Sequence, residues 1–410
     1  MLTSVGRISG LLSAYLLLVQ VLLIARVPVI ERSYGQDELA RRHRVVGFTS
    51  FNLLLTHIGF VTIGYAVNDG RNPIAEAWHL VWTYPGMLLA TAGSAALVMV
   101  VITSIRAARS RLRYESWHLL HLYAYVGVGL ALPHQLWTGT DFLSSPGGTA
   151  FWWTAYAAVA TCVLVFRVGL PAYRTLRHRP VVGDVVREAP GVVSLHINGR
   201  DLDRLPLRAG QFFIWRFLDG PGWTRGHPLS VSAAPDGRPL RMTVKELGAG
   251  TGRLQQVRPG SRVLLEGPYG RLTADARTRR TVTALAAGIG ITPLRALLEE
   301  LSYRPGEATL VYRASSPNEF LFRDEIDALA RARGIDVFYV AGPRRLDRPS
   351  WLPRSATGVA DSAGLLQLAP RIADSDVFIC GPDEWMAAAV AAVRGAGVPE
   401  SQLHLERFSW

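Results

Sequence analysis

Four histidines have the types and spacing for redox chemistry. His43 and His57 are 14 residues apart, about −40° of helical phase and about 21 Å of rise, so on one helix they share a face near opposite ends. His121 and His134 are 13 apart, about −140° in an ideal helix, and His118 to His134 is no better at about 160°. Phase alone leaves His118 and His121 open. Pro133, with Gly127 and Gly129, can distort the helix enough to bring His134 round. Histidine is costly in a bilayer and usually faces a bundle interior or a cofactor. Two stacked haems, each taking one histidine from either helix, would use such an arrangement.

The elements that must hold these rings are apolar. Charge-free stretches at 8–25, 45–67, 80–105, 116–138 and 149–166 are near the length that crosses a bilayer's hydrocarbon core, and predict five transmembrane helices. The first is retained rather than cleaved, because Arg26 and Pro28 stand where small residues should be. Mean hydropathy of +0.18 over 410 residues excludes a wholly soluble chain. Arginines 26, 32, 41, 42 and 44, then 106, 109, 111 and 113, then 167, 174, 177 and 179 lie in alternate connections, against Arg7 and Arg71 on the opposite side. The asymmetry predicts a multi-pass cell-membrane protein with its N-terminus outside and C-terminus inside. The net charge of +12, with Lys245 the only lysine, is therefore mostly topogenic and disfavours nucleic acid as a partner. Two cysteines, Cys162 and Cys380, exclude a zinc ribbon, an iron–sulfur cluster and a disulfide framework.

After Arg179 the pattern changes to short strands at 181–186, 192–197, 211–217, 229–233, 240–244 and 262–266, broken by Gly and Pro, which predicts a small β-barrel. Within it runs RGHPLSVSAAP, from Arg225 to Pro235. The strand ending at Lys245 is followed by LGAGTGRL, where Gly250 and Thr251 open a short helix whose free N–H groups suit a phosphate. From Thr281 strands and helices alternate, the pattern of a doubly wound parallel sheet. AAGIGITP, with Gly288, Gly290, Thr292 and Pro293, sits at a strand-to-helix junction, and CGPDEW from Cys380 contributes Gly381 and Pro382. Arg313 and Ser315 can meet a 2′-phosphate, and residues 312–316 include no acid to clasp a bare ribose, so NADPH is favoured over NADH.

The stretches RHRVVGFTSFNLLLTH and WHLLHLYAYVGVGLALPH resemble the haem helices of the ferric reductase and NADPH oxidase superfamily. The barrel and nucleotide motifs resemble the ferredoxin–NADP reductase superfamily. Together the resemblances cover almost the whole chain. They imply a multi-domain protein: an all-α transmembrane bundle of five helices with two b-type haems over 1–177, a FAD-binding β-barrel over 178–275, and an α/β doubly wound NADPH-binding domain over 276–410. His43 and His121 would hold the cytoplasmic-side haem, His57 and His134 the outer one, with Arg7 and Arg26 near the propionates. Arg225, His227, Pro228, Leu229, Ser230, Val231 and Ser232 would edge the flavin, and Lys245 would help bind its phosphates. Cys380 would lie beside the nicotinamide. Phe408, in the closing stretch HLERFSW, would stack on the flavin, with Trp410 able to reach the same ring. The implied activity is transfer of electrons from cytosolic NADPH through FAD and two haems to a small extracytoplasmic acceptor.

Two departures bear on that acceptor. The oxidases place a second histidine four residues after the outer ligand, where this chain has Val61, and cover the outer haem with a loop longer than 138–148. Both favour a ferric chelate over O2, with superoxide production or electron relay to a quinone or protein as alternatives. A membrane transporter with a nucleotide-sensing domain is the reading from another class. The absence of acids in all five spans counts against it, and no particular protein partner is indicated.

Overall fold

The computed structural model describes residues 1–109, 111, 114–139, 145–220, 222–237 and 239–407, without the side chains at 106, 107, 114, 115 and 249. Its contacts divide the chain into two compact units: Met1–Ile30 with Glu38–Arg167, and Glu31–Asp37 with Val168–Trp410.

The first unit is helical. Its elements are α1 (Leu2–Ile24), α3 (Gln36–Asp69), α4 (Pro73–Thr83), α5 (Met87–Ser104), α6 (Tyr114–Trp137) and α7 (Pro146–Cys162), with α2 (Pro28–Tyr34) between α1 and α3. Among the described residues, four helical runs are long and apolar enough to cross a membrane: Leu2–Ile24, Gln36–Asp69, Met87–Ser104 and Pro146–His178. α6 has the length, 24 residues, but its three histidines leave it less apolar than those four. The stretch at 80–105 is not one helix. Pro85 disfavours helical geometry at the preceding residue, Tyr84 is extended at ψ 136° and Gly86 adopts φ +80°, so α4 stops and α5 restarts. The stretch at 149–166 lies inside a longer run: α7, a π-helical stretch Val163–Gly169, and α8 (Leu170–His178).

Small residues let the helices approach. A Cβ on Gly10 of α1 would come 2.5 Å from the His57 ring, and one on Gly6 would come 2.7 Å from Val61 of α3. Farther along the same seam, Ser13 Oγ donates to the Ser50 carbonyl at 2.8 Å and Ser50 Oγ donates back to the Ser13 carbonyl at 2.9 Å. A Cβ on Gly93 of α5 would come 2.6 Å from the Gly127 carbonyl of α6.

In the second unit, β1 (Val181–Ala189), β2 (Val192–Asn198) and β5 (Leu240–Lys245) form one antiparallel sheet. β4 (His227–Ser230), β3 (Phe212–Phe217) and β6 (Val263–Tyr269) form another. Bridges Val181–Arg262 and Val231–Met242 join the sheets at both edges, closing a six-stranded barrel filled by Leu195, Ile197, Phe213, Trp215 and Met242. Alternation of apolar and polar residues aims these side chains at one interior.

Next come β7 (Thr281–Ala287), β8 (Ala308–Ala314), β9 (Ile335–Ala341), β10 (Ser375–Cys380) and β11 (Leu403–Glu406), a parallel sheet in the order β11-β10-β7-β8-β9. Helices α10 (Ile291–Glu300), α11 (Arg323–Arg333), α12 (Asp361–Leu368) and α13 (Asp383–Gly395) accompany it, and α9 (Ala249–Leu254) belongs to the barrel. The strand order reverses between β7 and β10, the kind of crevice where open α/β sheets bind ligands.

Candidate redox sites

The four candidate ligands, His43, His57, His121 and His134, are each oriented through Nδ1. His43 Nδ1 meets the Gln20 carbonyl at 3.0 Å and His57 Nδ1 meets the Gly6 carbonyl at 2.8 Å. A carbonyl only accepts, so Nδ1 carries the proton and Nε2 keeps its lone pair for a metal. His121 Nδ1 lies 3.2 Å from Ser104 Oγ and His134 Nδ1 lies 2.7 Å from Thr138 Oγ1. The His43 and His121 ring centroids are 6.0 Å apart. With a metal–nitrogen bond of about 2 Å, that separation leaves room for one metal ion between the rings, so this pair fits a shared iron. Arg7 is exposed on α1, and Arg26 follows the helix end at φ +64°.

In the barrel, Trp215 Nε1 donates to the Leu229 carbonyl at 2.9 Å, fixing the flavin-motif strand against β3. His227 and Ser230 are buried, and Ser230 Oγ has no partner among the described residues. A buried hydroxyl left open there fits a polar ligand edge. Val231 and Ser232 are fully buried, and the Ser232 hydroxyl is shared with Thr243 Oγ1 at 2.8 Å, so their side chains brace the strand. A Cβ on Gly250 would overlap the Arg225 guanidinium, which brings the arginine and the glycine turn together. Thr251 Oγ1 accepts the Leu247 N–H at 2.8 Å and shapes that turn. Lys245 Nζ lies 4.0 Å from a Glu319 carboxylate oxygen.

In the sheet, Ala286 pairs with Cys380 in register, and a Cβ on Gly290 would overlap the Cys380 carbonyl. The AGIG turn and the CGP turn therefore meet at the strand-order reversal. Gly288 takes φ +54°, and its carbonyl accepts from the Tyr312 hydroxyl at 3.2 Å. Thr292 Oγ1 donates to the Ile289 carbonyl at 2.9 Å, Pro293 is buried beside it, and Pro382 caps α13. Cys380 is wholly buried. Burial, then the Glu406 carboxyl, pushes its thiol well above the ordinary range, so the group is a neutral packing surface and not a nucleophile.

Arg313 is held by the chain itself. Its guanidinium donates to the Ala314 carbonyl, to Val340 at 3.3 Å, Gly342 at 2.6 Å and Pro343 at 3.2 Å. The side chain ties the carboxyl ends of β8 and β9 together, because buried carbonyls need donors. Ser315 remains exposed. Phe408 and Trp410 lie outside the described residues, as does 140–144 of the 138–148 loop.

Sequence reasoning passed over Glu406. It lies opposite Cys380 in register on β11 and is buried. Burial, then the carboxyls of Asp37 and Glu31, pushes it well above the ordinary carboxylate range. Glu31 itself accepts the Gly270 N–H at 3.1 Å. The acid two places before Phe408 in HLERF was the available signal.

Residues 9–132 match the family described as "Ferric reductase like transmembrane component", and residues 284–391 match the family described as "Oxidoreductase NAD-binding domain". The ferredoxin–NADP reductase B of Sorangium cellulosum (strain So ce56) is 32% identical over 230 residues, which are 54% of this chain and 93% of that protein. The chain belongs to the ferredoxin–NADP reductase family through its C-terminal half, preceded by a ferric reductase-like transmembrane component.

The flavohemoprotein of Burkholderia sp. (strain TH2) is 30% identical over 234 residues, 56% of this chain and 58% of that protein. The ferredoxin reductase component of the 3-ketosteroid-9-alpha-monooxygenase of Mycolicibacterium smegmatis (strain ATCC 700084 / mc(2)155) is 33% identical over 239 residues, 55% of this chain and 64% of that protein. Among solved structures, a ferredoxin NADP+ reductase from Neisseria gonorrhoeae with bound FAD and NADP is 19% identical and has a TM-score of 0.46, covering 56% of this chain and 98% of that one. The protein is a membrane oxidoreductase that binds FAD and NAD(P)H.

Two outcomes follow from the site. Arg313→Ala strips donors from several buried carbonyls, a loss of about 3 kcal/mol; it should lower the Tm, while a KM raised for NADPH alone would show that Arg313 also meets the 2′-phosphate, and equal effects on NADPH and NADH would limit it to the carbonyls. Glu406 has a folded-state pKa above its unfolded value, so the stability it contributes is present at low pH and lost as pH rises through the folded value. Glu406→Gln should therefore raise the Tm relative to the parent more at about pH 8 than at about pH 5, as read by thermal unfolding in detergent.

Proposed function

We propose that the chain carries electrons across the cell membrane, from cytosolic NADPH to a small extracytoplasmic acceptor, most directly a ferric chelate. In this reading 1–177 is the haem domain, 178–275 the flavin barrel and 276–410 the nucleotide domain, with five spans and the N-terminus outside. The observation that carries it is the histidine arrangement: four imidazoles oriented through Nδ1, with the His43 and His121 ring centroids 6.0 Å apart, a spacing that would let the two hold one iron.

FAD supplies the conversion of a hydride into single electrons, and haem iron the one-electron steps. The chain's own residues bind, orient and insulate. His43 with His121, and His57 with His134, would hold two b-type haems. Arg225 with the Gly250–Thr251 turn would hold the flavin's phosphates, and the Ser230 hydroxyl would meet its ring. The Gly288–Gly290 turn would bind the nucleotide pyrophosphate, and neutral Cys380 would offer the nicotinamide an apolar neighbour. The preference for NADPH would draw on Arg313 or on Arg344, which lies exposed just beyond the carboxyl end of β9 and pairs with Glu384 at 2.9 Å. Val61 in place of a second outer histidine favours an open haem edge over an oxygen site.

The purified protein should contain two low-spin b haems per chain, and His57→Ala and His134→Ala should each remove mainly one of them. Pyridine haemochrome analysis with an anaerobic NADPH-reduced spectrum checks both. One haem per chain in the parent would end the two-haem reading, and wild-type haem content in His121→Ala would move the ligand to His118.

A further inference from the structure

A polar network runs between the barrel and the nucleotide-binding sheet. Glu325 on α11 accepts both arms of Arg241 from β5, Nη1 to Oε1 at 2.8 Å and Nη2 to Oε2 at 2.9 Å, and also Nη2 of Arg295 from α10 at 2.8 Å. Both guanidiniums donate to the Ser232 carbonyl, each at 2.9 Å. Arg295 reaches Glu299 at 3.0 Å, and Glu299 accepts the Ala234 N–H at 2.8 Å. Arg241 also lies over the Phe322 ring, 4.5 Å from its centroid. Both arginine side chains are about nine-tenths buried.

What the network grips is the peptide from Ser232 to Ala234, the far end of the motif that begins at Arg225. What grips it is α10, whose first residue follows the Gly288–Gly290 turn. One helix therefore carries the nucleotide turn at its start and the flavin strand's anchor along its body, about 14 Å end to end. Two positive and two negative charges balance within the set. A planar guanidinium fork fixes direction as well as distance, which an apolar seam would not.

We propose that Glu325, with Arg241 and Arg295, is a positioning clasp that sets the spacing between the flavin ring and the nicotinamide for hydride transfer. The inference rests on the reading that NAD(P)H reduces FAD in this unit. In that step a hydride, one proton with two electrons, leaves C4 of the dihydronicotinamide, which becomes the oxidised nucleotide, and adds to the flavin, which becomes its reduced anion. The clasp takes no part in the bond changes; it holds the two strands that present the reactants.

The test uses the full chain, loaded with FAD, as parent and as Glu325→Gln, Glu325→Asp and Arg241→Met. Anaerobic single-turnover flavin reduction by NADPH should slow about tenfold or more in Glu325→Gln and Arg241→Met, since small misplacements carry large rate costs, and Glu325→Asp should recover most of the rate. FAD content and nucleotide Kd should stay within about twofold of the parent, because the variants alter spacing and leave the binding groups in place. Independently of activity, spin labels at Arg187→Cys on β1 and Ala391→Cys on α13, in a Cys162→Ser background, should show a broader distance distribution when Glu325→Gln is added. Parent-like rate and width in FAD-loaded Glu325→Gln would overturn the clasp. So would a slower rate that comes in both Glu325→Gln and Arg241→Met with matching losses of FAD and Tm, since that describes a folding element. If parent flavin is reduced by neither nucleotide, the functional reading fails instead, and the label distances still judge the clasp.

Discussion

A bilayer's hydrocarbon core is about 30 Å thick and offers a polar side chain no water, so every imidazole inside it must be satisfied by the protein or by what the protein holds. That requirement organises the helical unit. The Nδ1 of His43, His57, His121 and His134 goes to a carbonyl or hydroxyl, and the two carbonyls come from α1, which must approach α3 closely to present them. Gly6 and Gly10 permit the approach, and the Ser13–Ser50 exchange closes the same seam with hydrogen bonds that would otherwise be unmet in lipid. The Gly93–Gly127 contact does the equivalent for α5 and α6, and Ser104 of α5 meets His121 of α6.

The second unit solves a different problem, bringing two cofactor sites to one place. The strand-order reversal between β7 and β10 opens the crevice, and the close passage of Gly290 over Cys380 keeps its floor thin. Burial makes Cys380 neutral and raises Glu406 beside it, so this floor carries little charge. The flavin motif enters from the barrel on a strand braced by Trp215 at one end and by the Arg241, Arg295 and Glu325 network at the other.

Much of this was legible in local pattern. The barrel strands and the alternating sheet followed from short apolar runs and glycine breaks, because their residues contact neighbours close in sequence or repeat a period. The shared face of His43 and His57 followed from helical arithmetic, whereas the pairing of His134 with a second histidine did not, because its phase is off in an ideal helix. The misses have physical causes. Pro85 and Gly86 broke an apolar run whose hydropathy read as continuous. β11 is only four residues long and is held by its parallel partner rather than by its own composition. The contacts of Arg313 with carbonyls from β9 and the segment after it were not legible either, since no spacing rule reveals a rotamer. Glu406 and the Glu325 network depend on residues distant in sequence, which only the fold brings together.

The central claim, that electrons cross the membrane through this chain, is tested most directly in sealed proteoliposomes with a ferric chelate trapped inside and NADPH added outside. Protein oriented with its flavin unit outward should reduce the trapped iron, and His57→Ala should abolish that reduction while leaving reduction of an external dye by the flavin intact. Reduction of external acceptors only, with the trapped chelate untouched in the haem-loaded parent protein, would contradict the account.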